Sequence, residues 1–177
     1  MEQPTTPEDE QVRDVFAHFG LAAYCAQLFE KGLCNFLVVY KMLTGELVTL
    51  ADFDAAERKV HRKTLGMLLK DIRPLVTFSD PDGEKLLDDA VVKRNYLQHD
   101  YFWDRAVEFA SVVGRGQMIT ELDELRLLFE RAEEVAMLLT QATRRAVGLP
   151  DNYFEKGLAE MRERVRLLDA AGRANGM

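Results

Sequence analysis

Residues 120–147 read TELDELRLLFERAEEVAMLLTQATRRAV, and this stretch decides the fold. Leu122, Leu125, Phe129, Ala132, Ala136 and Leu139 fall at alternating steps of three and four, which lays one apolar stripe along an α-helix. Glu121, Asp123, Glu124, Glu130, Glu133 and Glu134 stand between them and are expected to face solvent or a partner. The stripe predicts a long bundle helix rather than a separate coiled coil.

The flanking segments repeat the pattern. Downstream of Gly148-Leu149-Pro150, the spacing of Phe154, Leu158, Met161, Val165 and Leu168 predicts a last helix over 151–172, packing on the bundle or on a partner. Upstream, Gly114-Arg115-Gly116 is expected to close a helix running from about residue 84 to 113, introduced by the turn-forming run Ser79-Asp80-Pro81-Asp82-Gly83. Residues 50–72 read as one helix stopped by Pro74. At the start, Thr6 with Pro7, Glu8 and Glu10 has the composition of a helix N-terminus. That first helix is expected to end near His18, bend at Gly20 and give way to a central apolar helix over 21–43. No alternating run is bounded by hairpin turns, so the fold class is an all-α helical bundle, with residues 1–177 read as a single domain.

Composition narrows the function classes. Hydrophobic residues make up 47% of the 177 and charged residues 30%, enough to build and solvate one core. No run approaches the roughly 20 apolar residues of a membrane span, and the acidic first ten residues lack signal-peptide character, so a cytoplasmic protein without membrane contact is expected. Cys25 and Cys34 suggest neither a disulfide framework nor a zinc site and read as buried small side chains. A net charge of −7 argues against coating nucleic acid along the whole surface but allows a local site.

One run carries chemistry: Arg94-Asn95-Tyr96-Leu97-Gln98-His99-Asp100-Tyr101. Arginine is a fixed cation suited to phosphate, and histidine exchanges a proton near neutral pH. On a straight helix advancing about 100° per residue, Arg94 and His99 diverge by roughly 140°, a geometric reason to expect a second copy of the helix completing a shared cleft. Arg58, Lys59, Arg62 and Lys63 form part of the most basic stretch and are candidates for steering RNA, though a solvated helix face explains them equally. His18 and His61 read as surface or packing residues.

The run Arg-Asn-x-x-x-His resembles the Arg-x4-6-His motif of HEPN domains, and Tyr101 extends it to the Arg-x4-His-x-Tyr form of HepT-type toxins. The resemblance implies a helical up-and-down core and a metal-independent endoribonuclease assembled as a homodimer, with Arg94 and His99 catalytic and Asn95 in support. It implies no cofactor, which agrees with the lack of a carboxylate and histidine cluster in the sequence. Tyr101 is expected to line the cleft, to accept AMP from a cognate nucleotidyltransferase antitoxin, or to sit in an interface beside Phe102 and Trp103. The alternative is a non-catalytic helical module that binds nucleotide or protein.

Overall fold

The computed structural model describes residues 6–78 and 81–148, together with 159, 162–164, 166 and 167. The protein is an all-α helical bundle, with no strand among the described residues. Its helices are α1 (Pro7–Leu43), α2 (Leu50–Val60), α3 (Leu65–Ile72), α4 (Pro81–His99), α5 (Tyr101–Asp104), α6 (Ala106–Phe109) and α7 (Val112–Ala146), with a 3₁₀ turn at Arg73–Leu75. Among the described residues no helix is long and apolar enough to cross a membrane.

The chain divides into two compact units, 1–140 and 141–177. Every buried apolar residue among those described belongs to the first unit. Its core is built on two long helices: Val15, Ala22, Phe29, Leu33 and Phe36 of α1, and Met118, Leu122, Phe129, Ala132 and Ala136 of α7. Three contacts fix their direction. His18 Nδ1 lies 3.0 Å from Asp123 Oδ1, the Cys25 thiol donates to Glu130 at 3.9 Å, and a Cβ added to Gly32 would sit 3.1 Å from the Ala136 Cβ. Residue numbers rise together on both helices in steps of six or seven, so α1 and α7 run parallel, in the near-heptad register that keeps one seam in contact. α4 runs the opposite way, since Arg94 meets Glu30 while Tyr101, just past its end, packs on Phe19.

Local chemistry explains the helix starts. The Thr6 hydroxyl accepts from the Asp9 N–H at 3.2 Å, and the Asp9 carboxylate accepts from the Thr6 N–H at 2.9 Å. Thr49 and Asp52 repeat this capping box ahead of α2.

Several expected boundaries are corrected. Gly20 makes no bend; α1 is continuous because Val15, Ala22 and Cys25 keep one buried line through it, and an exposed glycine costs a helix only about 1 kcal/mol. The expected helix over 50–72 is two, because Thr64 caps a new start at α3, its hydroxyl accepting from the Met67 N–H. The expected helix over 84–113 stops at His99 and continues as the short α5 and α6.

Gly114-Arg115-Gly116 lies inside the first turns of α7 instead of ending the preceding helix. Gly114 is pressed against α6, where a Cβ would fall 2.2 Å from the Glu108 carbonyl oxygen. Arg115 is 2% exposed and donates to the Phe109 carbonyl oxygen, Gln11 and Glu8, so α7 must already be helical where it clamps α1 and α6. Of the expected turn at 79–83, positions 79 and 80 lie outside the described residues, and 81–83 form the first turn of α4.

The second unit opens with the end of α7. Gly148 follows at φ +76°, the left-handed conformation that glycine adopts without strain after a helix, and its N–H donates to the Arg145 carbonyl oxygen at 3.0 Å. The expected helix over 151–172 lies outside the described residues except at 159, 162–164, 166 and 167, which are helical, Arg166 pairing with Glu163 at 2.7 Å.

Candidate active site

The last turns of α4 face the bend between α2 and α3. Arg94, Asn95 and His99 come from α4, Arg62, Lys63, Thr64, Leu65 and Gly66 from the bend and the start of α3, and Glu30 from α1; together they line an open cleft of about 630 Å³. One chain thus brings Arg94 and His99 to a single cleft, despite their angular separation on the helix. The cleft is wide enough for both to border it, with Arg94 half-buried against α1 and His99 exposed where α4 ends.

Arg94 is engaged on two sides. Its Nη2 donates to Glu30 Oε2 at 2.8 Å and its Nη1 to Asn95 Oδ1 at 3.3 Å. Both partners of the ion pair are about a quarter exposed, 25% for Arg94 and 28% for Glu30. Among the described residues the His99 side chain, which lines the cleft, has no hydrogen-bond partner.

Two of the four basic candidates, Arg62 and Lys63, line this cleft. Lys59 lines a neighbouring cavity instead, and Arg58 is exposed on α2 outside both. His18 pairs with Asp123, His61 Nδ1 accepts from the Lys31 ammonium at 3.1 Å, and neither histidine lines the cleft.

Tyr101 corrects the sequence reading. It is 1% exposed, and its hydroxyl donates to the Met118 carbonyl oxygen at 3.1 Å. Phe19, Tyr96 and Phe102 surround the ring, and burial pushes the phenol far above its usual range. Its position in the core, two residues after the end of α4, removes it from the cleft and leaves no hydroxyl presented to a modifying enzyme.

No family model, curated protein or solved structure matches the chain. Its site is therefore read from its own residues.

Glu30, Thr64, Leu65 and Gly66 are the cleft residues that sequence reasoning missed. For Glu30 a signal existed. Glu30 and Lys31 are the only charged residues in the otherwise uncharged stretch from Leu21 to Tyr40, and a lone carboxylate on a central apolar helix calls for a cation opposite. Nothing in the local sequence, however, named Arg94 as that cation, 64 positions away.

Proposed function

We propose that the protein is a metal-independent endoribonuclease of the HEPN type, acting in the cytoplasm as a toxin or defence component. The reading rests on one observation above others: the motif residues Arg94, Asn95 and His99 line the same cleft as Arg62 and Lys63. The motif resembles that of HEPN domains, and the cleft surrounds it with the cations an RNA backbone requires.

The chemistry uses these side chains directly. His99 takes the proton of a ribose 2′-hydroxyl; the freed oxygen attacks the adjacent phosphorus, the P–O5′ bond breaks, and the departing 5′-oxygen takes up a proton. Arg94 stabilises the negative charge that grows on the phosphoryl oxygens. Asn95 steadies the guanidinium through its side-chain oxygen, and Arg62 and Lys63 hold flanking phosphates. The products are a 2′,3′-cyclic phosphate and a 5′-hydroxyl. DNA lacks the nucleophile and stays intact.

The resemblance also implies a homodimer. Its support here is exposed apolar side chains on α5 and α6, Trp103 at 87% and Val107 at 82%, which association would take out of water. With the Tyr101 hydroxyl in the core, AMP transfer to it is not part of the proposal, and a cognate antitoxin would act by another contact.

A second reading has its own observation. Arg94 is already neutralised by Glu30, as in a structural ion pair, which favours a binding module without catalysis. The test is to incubate the purified protein with RNA and with DNA in the presence of a chelator, beside Arg94→Ala and His99→Ala. RNA loss confined to the wild type supports the ribonuclease; identical behaviour of all three chains supports the binding module.

A further inference from the structure

Beside the cleft lies a second cavity of about 450 Å³, walled by α1, α2 and α3 and the 3₁₀ turn, within the size range of small-ligand pockets. Its walls are of two kinds. Tyr40, Val60 and Leu75 supply an apolar side with one aromatic ring, and four lysines stand around it. Lys41 is paired with Glu46 at 3.0 Å and Lys63 with Asp71. Lys59 and Lys70 are exposed and, among the described residues, have neither a carboxylate nor a hydrogen-bond partner.

An aromatic and apolar wall beside two uncompensated ammonium groups suits a ligand with a flat ring and a phosphate, which is a nucleotide. Lys63 decides where that nucleotide comes from, because it lines this cavity and the Arg94 cleft alike. A polyanion crossing Lys63 places consecutive units in the two sites. We propose that this cavity holds a nucleotide flanking the one cut, with its phosphate on Lys59 and Lys70 and its base against Tyr40. The proposal rests on the ribonuclease reading of the cleft and adds a substrate subsite to it.

The test uses the full chain carrying His99→Ala, so that strands survive, and measures binding of labelled single-stranded RNA across a salt series. Lys59→Glu with Lys70→Glu is expected to weaken a strand of roughly eight nucleotides about tenfold and to reduce the log–log salt slope by about 0.7, one phosphate contact on a single strand. A dinucleotide, long enough to place one unit in each site, is expected to be weakened by the same pair of substitutions. Both lysines are exposed, and circular dichroism checks that the doubly substituted chain stays helical.

Unchanged affinity and slope for the longer strand would overturn the subsite while leaving the ribonuclease reading standing, since cleavage by the chain with His99 intact scores that reading separately. Failure of the parent chain to bind RNA of any length overturns the subsite, and absence of cleavage by the chain with His99 intact overturns the ribonuclease reading with it. AMP binding as tightly as the longer strand, and lost in Tyr40→Ala, would show a pocket for free nucleotide and overturn the assignment to a strand.

Discussion

Arg94 reaches the cleft with its charge already spoken for. Glu30 holds one end of the guanidinium, so on the proposed reading a phosphate must share the fork or displace the carboxylate, and Glu30 adds a negative charge to the proposed RNA site. Partly exposed ion pairs are worth up to about 1 kcal/mol, so Glu30→Gln is expected to tighten RNA binding by about fivefold, read by fluorescence anisotropy. Weaker binding would mean that Glu30 serves chiefly to aim Arg94. Tyr101 provides the contrasting case. Removing its hydroxyl forfeits one buried hydrogen bond, to a carbonyl that α7 also engages, and costs about 1 kcal/mol, so Tyr101→Phe is expected to lower the melting temperature by about 3 °C while leaving RNA cleavage intact. Lost cleavage without lost stability would return Tyr101 to the site. At this scale the sequence showed which residue types stand close along α4, because Arg94, Asn95 and His99 are neighbours in the chain. It could not show burial, which separates exposed His99 from core Tyr101 only two positions later, nor the pairing with Glu30 across the fold.

Helix ends divide the legible from the illegible. Thr6 and Pro7 announce the start of α1 because capping is local chemistry. The acid limb of stability should show it. Hydrogen bonds from the Thr6 hydroxyl and N–H hold the Asp9 carboxyl below its ordinary value, and Thr49 does the same for Asp52. A depressed folded-state value contributes stability above the ordinary carboxylate range, and that contribution is lost as pH falls below about 4 through the folded-state value. Thr6→Ala with Thr49→Ala is therefore expected to flatten the loss of melting temperature between about pH 5 and pH 2; an unaltered acid limb would contradict the capping account. The junction of α6 and α7 was unreadable for the opposite reason. Gly-Arg-Gly has the composition of a loop, yet Gly114 is there because backbone passes where a side chain would go, and Arg115 because Glu8 and Gln11 at the start of α1 and the nearby Phe109 carbonyl await it. Gly114→Ala is expected to destabilise the fold by about 3 kcal/mol in chemical denaturation, a cost set by overpacking against the Glu108 backbone. A neutral result would mean that α6 yields.

Across the whole molecule, the stripe from Leu122 to Leu139 found its partner in α1, buried from Leu122 to Ala136 and half-buried at Leu139. Periodicity names the face that is buried but not what lies against it, so the parallel pairing of α1 with α7, and the placement of the α2–α3 bend beside α4, came only from the structure. That bend matters most for function, since it carries Arg62 and Lys63 to the motif. The homodimer belongs to this scale too. Light scattering at micromolar concentration is expected to give twice the chain mass, and a monomer that still cuts RNA would show one cleft to be sufficient. The central claim is RNA cleavage by Arg94 and His99 through 2′-hydroxyl attack. Its most direct test is to identify the ends left on a defined RNA incubated with the protein in a chelator. The account predicts 2′,3′-cyclic phosphate and 5′-hydroxyl ends that vanish with His99→Ala, whereas intact RNA, or 3′-hydroxyl and 5′-phosphate ends, would contradict it.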